Sequence, residues 1–155
     1  MELPIGFGFI GVDPGVTCGI AWCFYAGKWD TRAASCDPDG MRFILESVLC
    51  HFAVDLEIPV LVCGEKFVTG NKPGTKGVNA DVTRASLSEV EALAKLFANT
   101  HYVAQTAAEV KPWATDRRLA AIGFPLAPKM KDSRDAGRHM LFGAVRSGRA
   151  ADPLR

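Results

Sequence analysis

The spacing of apolar residues changes period several times along the chain, and each change predicts an element. From Phe7 to Val12 and from Cys18 to Phe24, β-branched, aromatic and small apolar residues run almost uninterrupted. Between them Asp13-Pro14-Gly15 has turn chemistry, since Pro sets φ and Gly accepts positive φ. This predicts a hairpin with Asp13 at its end. Ala26-Gly27-Lys28 predicts a second turn and Trp29 to Ser35 a third strand, completing an antiparallel meander before the break at Asp37-Pro38-Asp39-Gly40.

The period then lengthens. Phe43, Ile44, Val48, Leu49, Phe52 and Leu56 share one face of a helix over Met41 to Leu56, starting at Asp39 or Gly40. Pro59 to Cys63 is a short continuous apolar run, as expected of a strand buried on both faces, and it ends at Gly64-Glu65. Thr69 to Asn79 turns to Gly, Asn, Pro, Lys and Thr, predicting a mobile loop with Lys72 and Lys76. A second helix is expected over Val82 to Phe97 and a fifth strand over His101 to Gln105. A third helix should open at Lys111-Pro112-Trp113 and run to Ile122, because Pro is favoured at the first helical position. A last helix should span Asp132 to Arg146, with a frayed tail from Arg149. The order predicts an α/β fold: a mixed five-stranded sheet, its first three strands antiparallel, flanked by helices.

Composition narrows the class. The 155 residues are 48% apolar, which suits a single domain over 1–148 with a short tail over 149–155. Eighteen basic and 17 acidic residues leave a net charge of +1, so bulk charge does not mark a nucleic-acid binder. The charge is uneven, however: ten of the basic residues lie between Lys111 and Arg155. Five cysteines, Cys18, Cys23, Cys36, Cys50 and Cys63, form no Cys-x-x-Cys pair, which argues against a zinc site. They suit reduced thiols of a cytoplasmic protein. Neither a cationic leader nor a run long enough to span a bilayer is expected.

Candidate chemistry lies in the carboxylates. Asp13 and Glu65 both end strands, and the first and fourth strands of such a sheet can be neighbours. On the last helix Asp132, Asp135 and His139, at offsets 0, 3 and 7, fall on one face. Each has a plainer reading. Asp13 can cap its turn, Asp132 and Asp135 can cap a helix, Glu65 can pair with Lys66, and His139 can be a satisfied helix-face histidine. Taken together, converging acids repel one another unless a cation neutralises them, and oxygen ligands suit Mg²⁺ or Mn²⁺. Two such ions, about 3.5–4 Å apart, activate water and stabilise a leaving oxygen in phosphodiester hydrolysis.

The ordered set of Gly11-Val12-Asp13-Pro14-Gly15 with Thr17 and Gly19, Gly64-Glu65, Ala107-Ala108-Glu109-Val110-Lys111, and Asp132-Ser133-Arg134-Asp135-Ala136 resembles the RuvC family of Holliday junction resolvases. The resemblance runs from about residue 7 to 147. It implies an RNase H-like fold, a homodimer, and paired nicks across four-way DNA junctions with Mg²⁺ or Mn²⁺, two ions per site. By position it makes Asp13, Glu65, Asp132 and Asp135 the catalytic, metal-binding acids, with His139 an addition on the same face. It makes the helix over Val82 to Phe97 the dimer contact. Phe67 is the nearest aromatic to the one that reaches junction bases in the family, at a different offset. The family's Gly-rich segment after Val-Lys is shortened here, leaving Arg117 and Arg118 to contact phosphate. Lys72, Lys76 and Lys111 are further candidates for backbone contacts. The compact form suits a viral member acting on several branched DNAs.

Three other readings stand beside this one. Asp13 to Gly19 also resembles the first phosphate loop of actin-type and sugar-kinase ATPases, which need a second domain. An RNA nuclease could use the same fold, the choice resting on contacts to the 2′-hydroxyl. A non-catalytic DNA-binding module is the third, although acids facing phosphate would bring it no gain.

Overall fold

A computed structural model describes residues 6–66 and 78–155. The predicted loop lies mostly outside these residues, as do Phe67, Lys72 and Lys76. The described strands are β1 (Phe7–Asp13), β2 (Cys18–Tyr25), β3 (Trp29–Cys36), β4 (Val60–Glu65) and β5 (Thr100–Gln105). They form one mixed sheet in the order β3-β2-β1-β4-β5. The first three are antiparallel, with Asp13 opposite Gly19 across the hairpin, while β4 runs parallel to β1 and β5 parallel to β4. The expected α/β class holds, with the first and fourth strands adjacent.

Helix α1 (Pro38–Leu49) starts one turn earlier than the apolar spacing suggests. The Asp37 carboxylate accepts from the Gly40 N–H at 2.7 Å, and Pro38 occupies the first turn, where its missing N–H costs nothing. The helix then widens into a π-helical turn, Cys50–Asp55. Its buried face is Met41, Leu45, Val48, Leu49 and Phe52. Phe43 and Leu56, expected on that face, are 72% and 42% exposed. Helix α2 (Val78–Lys95) also begins earlier than expected.

The predicted third helix is two short ones. Helix α3 (Ala107–Val110) is held by a capping box in which the Thr106 hydroxyl accepts from the Glu109 N–H and the Glu109 carboxylate accepts from the Thr106 N–H. Helix α4 (Asp116–Ala121) is capped by Thr115, and Lys111-Pro112 falls in the turn between them. The competing signal was the second cap: Thr115 satisfies the Arg118 N–H and starts a new helix. Helix α5 is Lys131–Arg146.

Two apolar clusters cover the two faces of the sheet. One packs α1, Phe52 and α2 against Ile10, Val12, Ile20, Val60 and Val62. The other packs Met140, Leu141 and Ala144 of α5 against Phe9, Ala21, Cys23, Leu61 and Cys63. Alternation along each strand therefore assigns odd-numbered residues of β1 and β4 to the α5 side. The segment after Arg149 is packed rather than frayed. Ala150 is buried, and Asp152 accepts from both Nε and a terminal nitrogen of Arg118, at 3.3 and 3.2 Å. Among the described residues no helix is long and apolar enough to cross a membrane.

Candidate active site

The same alternation that puts Phe9 and Leu61 under α5 puts Asp13 and Glu65 there too, at the last positions of neighbouring parallel strands. Gln105, the last residue of β5, is paired in register with Glu65 and extends the row. Polar groups at the carboxyl ends of parallel strands, beyond the apolar core, are where α/β sheets place their sites.

Helix α5 closes over this row because two glycines allow it. A Cβ on Gly11 would collide with the Ala136 carbonyl and come within 2.7 Å of the Met140 nitrogen. A Cβ on Gly19 would collide with the Asp132 carbonyl. The helix thus lies directly on bare strand backbone, and its first turns bring Asp132, Asp135 and His139 to the strand ends. Asp132 is not a helix cap: α5 begins at Lys131, and its start has no side-chain cap hydrogen bond. That removes the cap reading of Asp132, which still lies in the first turn, where the helix dipole favours an acid.

Asp13 and Glu65 face each other across the two strand ends closely enough for their carboxyl groups to interact. Burial raises the Asp13 carboxyl to about 8; the contact with Glu65 and the charges of Glu65, Asp135 and Asp132 push the same way. Glu65 is instead held below the usual carboxylate range. The neighbouring His139 imidazole is the main cause; burial opposes it, and the contact with Asp13 and Lys111 assist. Of the two, Asp13 is therefore the group pushed toward keeping its proton and Glu65 the one pushed toward losing it.

His139 is fully buried. Its Nδ1 lies 3.0 Å from Gln105 Oε1, and its Nε2 lies 3.6 Å from Glu65 Oε2, beyond hydrogen-bond reach. Asp135 is 12% exposed at its side chain and is flanked by Lys111 Nζ at 3.5 Å and Arg138 Nε at 3.4 Å. Arg138 is itself held by the Ala114 carbonyl at 2.7 Å and by Asp116 at 2.6 Å.

The structure thus brings together Asp13, Glu65, Asp135 and His139, with Asp132 in electrostatic range of Asp13. Lys111, expected on DNA, stands beside Asp135. Arg118, also expected on DNA, is engaged with Asp152 and the Trp113 carbonyl and lies 4.5 Å over the Trp113 ring; Arg117 is exposed. The sequence reading missed Gln105 and Arg138. Gln105 carried a signal, a polar residue ending a strand beside two strand-ending acids. Arg138 carried a local signal too, its i,i+3 spacing from Asp135 on one helix, whereas its other partners Ala114 and Asp116 are far away in sequence.

The donor set fits hard divalent ions. It is rich in carboxylate oxygens, Asp13 is raised by burial and further by its acidic neighbours, and the buried Nε2 of His139 has no hydrogen-bond partner. Among the described residues no three acid, His or Cys side chains are drawn together closely enough to grip an ion as they stand.

Neither protein-family models nor curated proteins match the sequence. Solved structures do. The chain is similar to a structure described as T. thermophilus RuvC in complex with Holliday junction substrate, with a TM-score of 0.63 and 14% identity over 92% of this chain and 96% of that one. A Thermus thermophilus RuvC structure aligns with a TM-score of 0.59 and 16% identity over 91% and 96%. The chain therefore has the RuvC-type, RNase H-like fold, with its acids at the strand ends beneath α5.

Proposed function

We propose that this protein is a divalent-metal-dependent endonuclease that cuts branched DNA, four-way junctions foremost, by paired phosphodiester hydrolysis. The observation that carries the reading is the Asp13–Glu65 carboxyl pair at two adjacent strand ends, covered by a helix bearing Asp132 and Asp135. A pair of carboxyl groups facing each other inside an acid cluster gains nothing in stability. It is a set of oxygen ligands awaiting cations. The structural likeness to a RuvC bound to a Holliday junction supports DNA as the substrate.

Asp13, Glu65, Asp132 and Asp135 would hold Mg²⁺ or Mn²⁺, two ions per site. Ions bound there supply an activated water and charge stabilisation at the leaving oxygen. The chain's own groups do the rest. Lys111 and Arg138 orient Asp135 from both sides, so that its carboxylate keeps a defined direction. Gly11 and Gly19 keep α5 seated on the strands. Exposed Lys66 and Lys131, next in sequence to Glu65 and Asp132, offer positive charge to phosphates flanking the cut, and Arg117 offers more. Two such sites in a homodimer would cut symmetrically. We assign the dimer contact to α2, after which Leu96 leaves an apolar side chain 76% exposed.

The test is cleavage of labelled four-way junction, Y-fork, linear duplex and structured RNA with Mg²⁺, Mn²⁺ or EDTA, by wild type and Asp13→Asn. Paired nicks in the junction that vanish in EDTA and in the variant are expected. Equal cutting of forks would widen the substrate, cutting of RNA would reassign it, and binding without any cutting would overturn the nuclease reading.

A further inference from the structure

The buried chain behind Glu65 has a definite direction. Gln105 is 3% exposed and His139 is fully buried, so the bond between them is shielded from water. The Gln105 amide nitrogen lies on the side of the buried Cys63 sulfur, since a Cβ on Gly143 would meet both atoms. A carboxamide has one acceptor end and one donor end. With the amide nitrogen turned toward the sulfur, its Oε1 faces His139 Nδ1 at 3.0 Å, and a carboxamide oxygen there requires Nδ1 to donate. The proton on Nδ1 is thereby committed, and Nε2 is the ring atom that faces the site, where a bound ion would take the place of any proton it directs at Glu65. That atom has no hydrogen-bond partner, and it points toward Glu65 Oε2 at 3.6 Å. A buried, partnerless imidazole nitrogen beside a carboxylate, held by a hydrogen bond at its other nitrogen, is the arrangement that metal-ligating histidines adopt.

We infer that Gln105 is a positioning residue that fixes His139 so that Nε2 serves as a nitrogen ligand, beside Glu65, to one of the divalent ions of the proposed active site. The inference rests on that proposal. Glycine at 143 fits it: a Cβ there would collide with the Cys63 sulfur and come within 3.0 Å of the Gln105 amide nitrogen, so α5 leaves space for this amide. Mg²⁺ prefers oxygen ligands and dehydrates reluctantly, so the nitrogen should favour Mn²⁺.

The full-length protein loaded with Mn²⁺ should show the weak nitrogen coupling of a bound imidazole in pulsed electron paramagnetic resonance, lost in His139→Ala. Gln105→Leu removes the acceptor and should weaken Mn²⁺ binding by about 10- to 100-fold, the usual effect of losing such a partner, while weakening Mg²⁺ less. Gln105→Glu, which still accepts from Nδ1, should retain the coupling. Equal losses for both ions in Gln105→Leu, or no nitrogen coupling in the wild type, would overturn the inference while leaving an Asp13-dependent metal site intact. Absence of any divalent-ion binding would overturn the underlying proposal as well. A measurement without variants completes the test: the nitrogen-15 spectrum of the Mg²⁺-loaded wild type should show His139 protonated at Nδ1, and protonation at Nε2 instead would refute the assignment.

Discussion

Asp13→Asn should make the metal-free protein more stable, and the gain should depend on pH. Below pH 3.8, the ordinary value, Asp13 is neutral whether the chain is folded or not. Between 3.8 and about 8 the folded protein keeps the proton that the unfolded chain releases, so stability falls as pH rises through this window. Taken alone, that rise corresponds to about 6 kcal/mol at about 1.36 kcal/mol per unit. The side chain is partly exposed and interacts with Glu65, so a gain of about 1–3 kcal/mol near pH 8 is the realistic expectation. For a chain of this size that is a rise in Tm of roughly 3–10 °C. The asparagine amide can still donate to Glu65, so the contribution of Glu65 largely cancels between the two proteins. Thermal unfolding of both in EDTA, from pH 4.5 to 8.5, measures the difference. A gain that is the same at both ends, or a loss at pH 8, would show that the Asp13 carboxylate is not held in an uncompensated acidic cluster.

The same cluster predicts that Mg²⁺ stabilises the wild type, by about 2.7 kcal/mol at 100 times Kd, and that Asp13→Asn loses most of this shift; calorimetric scans against Mg²⁺ concentration check it. Gly19→Ala should drive the first turn of α5 off β2, costing about 1–3 kcal/mol by overpacking and roughly 100-fold in cleavage through misplacement of Asp132; denaturant melts and single-turnover rates read the two separately. Arg118→Ala should lower Tm without changing the salt dependence of DNA binding, because its guanidinium is engaged with Asp152 and Trp113. Arg117→Ala should instead reduce the slope of log K against log salt by about one, and an unchanged slope would remove Arg117 from the interface.

The elements that were legible in the sequence are those with local causes. The Asp13-Pro14-Gly15 turn, the apolar run ending at Glu65 and the periodic face of α5 each rest on dihedral preferences or spacing within a few residues, and each element is present. Errors arose where a local cap or a change of helical pitch outweighed periodicity. Thr115 split the third helix, and the π-helical turn after Leu49 left Leu56 exposed. The carboxylates could be nominated from their places at element ends, but Asp132 could not be separated from an ordinary helix cap without seeing where α5 begins.

Taken alone, the sequence determined the elements, the sheet class and the acids that end strands, because these follow from side-chain alternation and turn chemistry. Tertiary structure alone decided that Asp13 faces Glu65, that Gln105 meets His139, that Lys111 stands beside Asp135, and that Arg118 turns inward to Asp152. These outcomes join residues 34 or more positions apart in several cases. No local pattern encodes them: they depend on how closely α5 can approach bare strand backbone at Gly11 and Gly19, and on the charge and burial that this approach creates.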